Sequence, residues 1–355
     1  YNAIANVNNI LDHIHADNGV LLTPGMYEII RGECLALRAF LHFDLMRLFG
    51  PVPADLEAGG ARLPYVRVVS KEIKLPVSYD EYKDFLLKDL RDAAALLKEY
   101  DPIVVEGSVT DEFLVRRTCR MNYYAVKALQ ARAFLWYGEK ENAYAAAMEV
   151  IEAKNSDGSK KFDIEAIKTA FPGQDFIIYP EQIFGLYDHQ LDDKYSSFFQ
   201  TGILYKGTSS QEIMKNLYGN TGKDFREQYL WELQRLVDGD RYTIKKYNVT
   251  LGVKQIPLIR LSELYFIAIE SGSAEQAQKL WDEYRDSRVL DRKDLPTDPK
   301  QLQQEILTEF RKEFYAEGQL FYLYKRYNSP REDILFANSR LVVNYILPLP
   351  KTELK

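Results

Sequence analysis

ECLALRAFLHFDLMRLFGPVP, residues 33–53, is the stretch that decides the fold. From Glu33 to Phe49 it is apolar on nearly every side, and a helix of that kind must be covered by more than one neighbour. Its few polar residues form two pairs at helical spacing: Arg38 and His42 are four apart, and Asp44 and Arg47 are three apart. Gly50 caps the helix, and the two prolines that follow forbid its continuation. The pattern predicts a buried scaffold helix whose polar residues serve packing.

Local start and stop signals mark further helices. The chain already has a helical pattern over residues 1–14, with its apolar side chains on one face. Ser78, followed three residues later by Glu81, is a capping box, and the apolar stripe behind it ends near Tyr100. Asp298-Pro299 has the residue types of an N-cap and a first helical position. Helices are therefore predicted along most of the chain.

Two segments have the composition of closely packed helix pairs. Residues 122–153 carry alanines on both sides of a turn at Gly138, and small side chains let two antiparallel helices approach closely. Residues 260–288 repeat this design around a turn at Gly272. We therefore predict an all-α fold: an α-solenoid scaffold of tetratricopeptide-like helix pairs with an inserted loop-rich region.

The predicted insertion is residues 155–258. Gly, Asp, Lys, Tyr and Phe mix there with short apolar runs, and no sustained helical stripe occurs before Asp224. Loops and short strands carried on a rigid scaffold are where proteins tend to bind ligands. We predict one domain over 1–355, made of a helical repeat scaffold (1–154), an irregular ligand-binding region (155–258) and a C-terminal helical region (259–355).

Composition excludes several classes of protein. The formal charge is −6 and no block of five basic residues occurs, so no nucleic-acid partner is expected. The mean hydropathy of −0.33 and the lack of an apolar run near 18 residues argue against a membrane-spanning helix. The two cysteines, Cys34 and Cys119, lie in apolar helical stretches where cysteine packs as a small hydrophobe. Whether they pair is left open.

Six segments, taken together and in order, resemble the SusD/RagB family. They are RGECLALRAFLHFDLMRLFGPVP (31–53), SYDEYKDFLLKDLRDAAALL (78–97), RMNYYAVKALQARAFLWYGEKENAYAAAMEVI (120–151), IRLSELYFIAIE (259–270), EFRKEFYAEGQLFYLYKR (309–326) and YILPLPKTEL (345–354). The resemblance runs from about residue 31 to the C-terminus and is weakest between 155 and 257.

The resemblance implies a SusD-like, RagB-like lipoprotein of the Bacteroidetes, facing the exterior of the outer membrane. Such proteins are not catalysts. They capture an oligosaccharide or polysaccharide nutrient, or in some members a peptide, and pass it to a SusC-like TonB-dependent transporter. Membrane contact would come only through a lipid anchor, whose cysteine belongs to a first stretch that this chain lacks.

Ligand contacts are expected in the irregular region, because a sugar ring packs its C–H groups on an aromatic face while its hydroxyls need fixed donors and acceptors. The aromatic candidates are Trp231, Tyr195, Phe198, Phe199, Tyr205, Tyr218 and Tyr229, and the polar ones are Asn220, Asp224 and Arg226. Trp231 leads because it is the largest ring and lies outside the repeat pattern. Its replacement by alanine is expected to weaken binding with little loss of stability.

Other chemistry has less support in the sequence. His13 and His15 lie beside two aspartates, but residues two apart point to different sides of a helix. Residues 218–224 lack the full spacing of a phosphate loop. Adjacent carboxylates at Asp192-Asp193 and Asp238–Asp240 could serve a helical glycoside hydrolase, although such loop carboxylates are usually solvated. We predict no catalytic residue, no metal and no cofactor; an intracellular peptide-binding adaptor is a further alternative.

Charges of both signs alternate between residues 309 and 326. They are Glu309, Arg311, Lys312, Glu313, Glu317, Lys325 and Arg326. A polar ligand groove is one interpretation of this pattern. The preferred one is an ion-pair network that ties the last helices together.

Overall fold

The computed structural model describes residues 1–16, 19–21, 23–56, 63–106, 111–202, 204, 211–237, 239–249 and 253–350, and more than half of the chain is helical. The α-helices are α1 (Asn2–His13), α2 (Met26–Phe49), α3 (Tyr79–Tyr100), α4 (Pro102–Val105), α5 (Tyr123–Trp136), α6 (Lys140–Ile151), α7 (Ile167–Ala170), α8 (Leu191–Tyr195), α9 (Phe225–Tyr229), α10 (Leu261–Ser271), α11 (Ala274–Ser287), α12 (Pro299–Glu313) and α13 (Leu320–Tyr327).

Within the residues that the structure describes, four short strands form two antiparallel pairs. They are β1 (Gln182–Tyr187), β2 (Trp231–Gln234), β3 (Arg241–Ile244) and β4 (Gln255–Arg260). β1 pairs with β4, so that Tyr187 lies opposite Gln255, and β2 pairs with β3, so that Trp231 lies opposite Ile244. The prediction of a helical scaffold with short strands in the irregular region is confirmed.

By its internal contacts the chain divides into two compact units. The first comprises residues 1–143 and 321–355, and the second comprises residues 144–320. The three predicted segments (1–154, 155–258 and 259–355) were defined by their residue patterns and not by contacts. Their boundaries therefore differ from those of the two units.

In the first unit, α2 is the central helix. It ends at Phe49 as predicted but begins at Met26, seven residues before the predicted start at Glu33. It contacts α1, α3 and α5, so it is covered on more than one side. Gly32 allows the approach of α3, since a Cβ there would lie 2.8 Å from Cγ of Leu97.

The polar residues of α2 serve packing, as predicted. The Arg38 guanidinium donates twice to Asp89, from Nε and Nη2, each at 2.7 Å, and the pair is buried. Arg47 pairs with Asp44. At the helix end, Nζ of Lys325 donates to the carbonyl oxygen of Gly50 at 2.7 Å and supplies a cation where the helix dipole is negative.

In the second unit, α10 and α11 form the predicted pair. Ser273 and Gln276 make a capping box at the start of α11, and the rings of Phe266 and Tyr284 meet edge to face with centroids 4.8 Å apart. Asp298 caps α12 as predicted, accepting from the amide of Gln301 at 3.0 Å. The capping signals of the sequence therefore mark true helix starts.

Cys34 and Cys119 are not joined in a disulfide, and Cys34 is buried. Burial raises the pKa of the Cys34 thiol to about 11. No helix within the described residues is long and apolar enough to cross a membrane.

Candidate ligand-binding site

A polar cleft of about 240 Å³ opens in the second unit between the 218–224 turn, α12 and the connection from α11 to α12. Its lining is mostly charged or hydroxyl-bearing: Tyr218, Thr221, Lys223, Asp224, Arg285, Leu290, Asp291, Lys293, Glu305, Thr308, Glu309 and Lys312. We call this the polar cleft.

The 218–224 turn forms one wall because of its backbone chemistry. Gly219, Asn220 and Gly222 all have positive φ (75°, 54° and 66°), a conformation that Gly and Asn tolerate best. The Glu227 carboxylate ties the turn to α9 by accepting from the Thr221 hydroxyl at 2.9 Å and from the Gly222 amide at 2.8 Å. These contacts fix the segment as a turn that packs on the start of α9.

The charges around the polar cleft are already paired. Lys223 contacts Asp291 at 3.2 Å, and Lys293 contacts Glu305 at 2.6 Å. Lys312 contacts Glu309, also at 2.6 Å. Such a lining offers many hydrogen-bond donors and acceptors, while its positive and negative charges balance. This combination suits an uncharged ligand that is rich in hydroxyls.

Tyr218 and Trp231 are locked together behind this wall. Nε1 of Trp231 donates to the Tyr218 hydroxyl at 3.1 Å, and its ring meets Tyr315 edge to face with centroids 5.0 Å apart. Trp231 is only 8% exposed and Tyr218 only 4%. Burial, with the nearby Asp224 carboxylate, raises the pKa of Tyr218, so its hydroxyl stays protonated. Trp231 supports the cleft from behind.

The burial of Trp231 contradicts the premise of the expectation that Trp231→Ala leaves stability nearly unchanged, and we now expect a loss of stability. The premise was an exposed ring on a loop, whereas the structure places Trp231 at the start of β2 with its N–H bonded and its ring packed. Truncation of a ring buried to this extent costs about 3–5 kcal/mol in typical cores.

Arg226 belongs to a buried ion network beneath the polar cleft. The network consists of Glu181, Asp224, Arg226, Lys246, Arg260, Arg288, Glu309, Glu313 and Glu317. Arg226 contacts Asp224 at 2.6 Å, Glu309 at 2.7 Å and Glu313 at 3.1 Å. Arg226 thus holds Asp224, whose carboxylate also caps α9.

Burial and pairing compete in setting the pKa values of this network. Burial alone raises the pKa of Glu309, but Arg226 and Lys312 outweigh it and bring that pKa down to about 2. In Glu313 burial is likewise outweighed, chiefly by Arg288 and Arg260, so the pKa lies well below its ordinary value. These carboxylates are therefore ionised at neutral pH.

The predicted network exists, but most of its partners lie elsewhere in the chain. Glu309 pairs with Lys312 of the same helix, within the predicted set. Glu309, Glu313 and Glu317 also pair with Arg226, Arg260, Arg288 and Lys246, none of which lies in the last helices. Lys325 instead binds a main-chain carbonyl of the first unit. A single sequence shows the alternation of charge but not which distant cation meets each carboxylate.

The predicted ligand residues fall into three groups. Tyr218 and Asp224 line the polar cleft, Asn220 is exposed in the turn beside it, and Arg226 and Trp231 lie directly behind it. Tyr195 and Phe199 pack instead in an apolar cluster with Ile177, Leu191, Tyr247 and Val249. Tyr205 lies outside the described residues. Ligand contact by any of them remains a prediction.

Several lining residues were not singled out from the sequence. Asp291 and Lys293 come from the connection between two helices, and Glu305 and Thr308 come from α12. No local motif marks them. The wall formed by the 218–224 turn meets the wall formed by the α11–α12 connection where Lys223 contacts Asp291. These two residues are 68 positions apart in the sequence, so no local pattern reveals the contact.

The structure describes part of the other sites considered above. Within the described ranges no group of three His, Cys, Asp or Glu side chains is placed to hold a metal ion, and Nδ1 of His13 bonds the Asn9 carbonyl oxygen at 2.8 Å. Asp192 pairs with Lys254 at 2.7 Å. Asp238 is outside the described residues, so the Asp238–Asp240 pair is not characterised.

Two family models together match most of the chain. Residues 1–106 match a model described as "Starch-binding associating with outer membrane", and residues 123–353 match the model of the SusD family. A comparison with curated proteins gives no match.

Solved structures share the fold. A SusD superfamily protein of Bacteroides thetaiotaomicron is 22% identical with a TM-score of 0.71, over 92% of this chain and 73% of that one. A SusD-like carbohydrate binding protein of Bacteroides vulgatus is 20% identical with a TM-score of 0.67, over 92% and 68%. A laminarin binding SusD-like protein is 18% identical with a TM-score of 0.69, over 100% and 82%.

Proposed function

The chain belongs to the SusD family, and we propose that it captures neutral oligosaccharides or polysaccharides at the cell surface without cleaving them. The observation that carries the proposal is the family match over residues 123–353, which contains every residue of the polar cleft. The carbohydrate-binding and laminarin-binding proteins of the same fold support a glycan as the ligand.

The polar cleft provides the chemistry that such a ligand needs. Sugar hydroxyls both donate and accept, and each Lys–carboxylate pair at the rim offers one group of each kind. Tyr218, Asn220 and Asp224 would contact the ligand. Trp231 and Arg226 would act as positioning residues, because they hold Tyr218 and Asp224 in place. Little aromatic surface faces the cleft, so hydrogen bonds would dominate affinity.

Hand-off to a SusC-like TonB-dependent transporter is the further step of the proposal. A capture protein on the outer face of the outer membrane needs a channel to deliver its ligand, and the "associating with outer membrane" model that matches residues 1–106 supports that location. Attachment would be through a lipid anchor. Co-purification of a SusC-like β-barrel with the membrane-extracted gene product is the expected result, and its absence under mild detergent would contradict this step.

Capture and cleavage are separated by one assay on the purified protein. Laminarin and starch are set in native gels and retardation is measured, while the same protein is incubated with each glycan and reducing ends are counted. We expect retardation by at least one of them and no increase in reducing ends. Sustained release of reducing ends would support the helical glycoside hydrolase instead. Retardation by neither glycan, together with binding to a peptide library, would support a peptide-binding member of the family.

A further inference from the structure

A second and larger cavity, of about 560 Å³, lies within the second unit between α6, α11 and the hairpin that follows α6. Three of its lining residues are lysines. The full lining is Tyr144, Met148, Ile151, Glu152, Lys154, Lys160, Tyr265, Gln276, Lys279, Leu280 and Glu283. We call it the lysine groove. It shares no residue with the polar cleft.

Part of the lining of the lysine groove consists of buried, mostly apolar side chains, which form its floor. Ile151, Tyr265 and Leu280 are 8%, 1% and 4% exposed. The Tyr144 ring lies against the backbone of Gly272, where an added Cβ would come within 2.9 Å of the ring atom Cε2. A half-buried aromatic ring at the edge of an apolar floor can pack against the C–H face of a sugar.

Two of the lysines are held side by side. Lys154 and Lys160 lie opposite each other in an antiparallel bridge, in a hairpin closed by the bond from the Lys161 amide to the Ala153 carbonyl at 2.9 Å. Like charges on directly opposite residues destabilise such a pair. Lys279 adds a third ammonium from α11. In the described parts of the chain none of these three lysines is ion-paired, so the groove presents cations that a ligand anion could neutralise.

The groove also holds two acceptors. Glu283 accepts from the Tyr265 hydroxyl at 3.0 Å, and Glu152 lies on the rim. Three lysines against two glutamates leave the lining with one net positive charge. The carboxylates would repel a purely acidic peptide, whereas they can accept from the hydroxyls of a sugar.

We propose that the lysine groove binds an anionic oligosaccharide, one whose sugar rings carry carboxylates. The ring carboxylates would meet Lys154, Lys160 and Lys279, and the hydroxyls would donate to Glu152 and Glu283. Tyr144 would pack on the sugar face. A volume of 560 Å³ lies within the range of about 300–1,000 Å³ that small-molecule sites occupy. This site is independent of neutral-glycan capture in the polar cleft.

The test is calorimetry with a trisaccharide of galacturonic acid and its fully methyl-esterified form, in which a methyl group on each carboxylate removes the charge and the sugar rings are unchanged. Wild type should bind the acid at least about tenfold more tightly than the ester, since about 1.4 kcal/mol of ion-pair energy is a factor of ten. The double variant Lys154→Gln/Lys160→Gln should lose about tenfold toward the acid. The matched control, Lys98→Gln/Lys300→Gln, removes two exposed lysines outside the groove and should bind like wild type.

Each contrary outcome overturns the proposal. Equal affinity for acid and ester, or no binding of the acid at millimolar concentration, would mean that the groove does not recognise the anion. An unchanged affinity in Lys154→Gln/Lys160→Gln would place any binding elsewhere. Pentaglutamate binding as tightly as the trisaccharide would identify an acidic-peptide site instead. All four substituted lysines are exposed, so circular dichroism should show that both variants remain folded.

Discussion

Acidification should destabilise the first unit through one buried imidazole. His42 is fully buried in α2, where its Nδ1 donates to the Arg38 carbonyl at 2.9 Å and its Nε2 accepts from the Val66 amide at 2.9 Å. The ring stacks on Tyr65 with centroids 4.0 Å apart. Protonation would place a proton on Nε2 against the Val66 N–H, so only the neutral ring fits.

The pKa of His42 sets the size of this effect. Burial, aided by the nearby Arg38 charge, lowers that pKa from 6.5 to about 4. In the unfolded chain the imidazole therefore takes up its proton first, and the folded state loses stability as pH falls from about 6.5 to about 4. A difference of 2.5 pKa units, at 1.36 kcal/mol each, corresponds to about 3 kcal/mol.

Urea unfolding followed by circular dichroism between pH 7.5 and pH 4 measures this loss. His42→Gln should be less stable than wild type at pH 7.5, but its free energy of unfolding should fall by about 3 kcal/mol less over the same range. His189→Gln, which removes an exposed imidazole, should retain the wild-type pH dependence. If His42→Gln and wild type lose stability in parallel, the inference that buried His42 must stay neutral is refuted.

Substitutions at two further positions test the packing behind the polar cleft. Glu313→Ala should lower the free energy of unfolding in urea by about 3–5 kcal/mol, because Arg226, Arg260 and Arg288 would all lose a buried carboxylate. A loss below about 1 kcal/mol would contradict the assigned pairing. Trp231→Ala should lower both the melting temperature and the glycan affinity. Trp231→Phe should retain most of the stability but lacks the N–H that donates to Tyr218. An alanine variant as stable as wild type would contradict the burial of this ring.

The helices were predictable because their signals are local. The capping box at Ser78 and the N-cap at Asp298 involve residues only three positions away, so the sequence contains both partners of each interaction. The end of α2 at Gly50 was predictable for the same reason. Its start was not, because residues 26–32 lack a capping side chain and follow Gly25 in a left-handed conformation.

The candidate site was only partly predictable, because its contacts are distant in sequence. Asp224 and Arg226 are only two positions apart, so their pairing is local, but Glu309 and Glu313 lie more than 80 residues away. The same limit explains Trp231. Its residue type suggested a ring that stacks on a sugar. Its burial, however, depends on contacts with Tyr218 and Tyr315, and no sequence pattern near Trp231 predicts those contacts.

The central claim, that a glycan binds in the polar cleft, is tested most directly by calorimetry with a neutral glucan oligosaccharide and two double variants. Asp291→Ala/Lys293→Ala removes two exposed lining groups. Asp286→Ala/Arg292→Ala removes an exposed ion pair between the end of α11 and the same connection, and neither residue lines the cleft. We predict at least about tenfold weaker binding in the first variant and wild-type affinity in the second. Equal affinity in both variants and wild type would show that the glycan binds elsewhere.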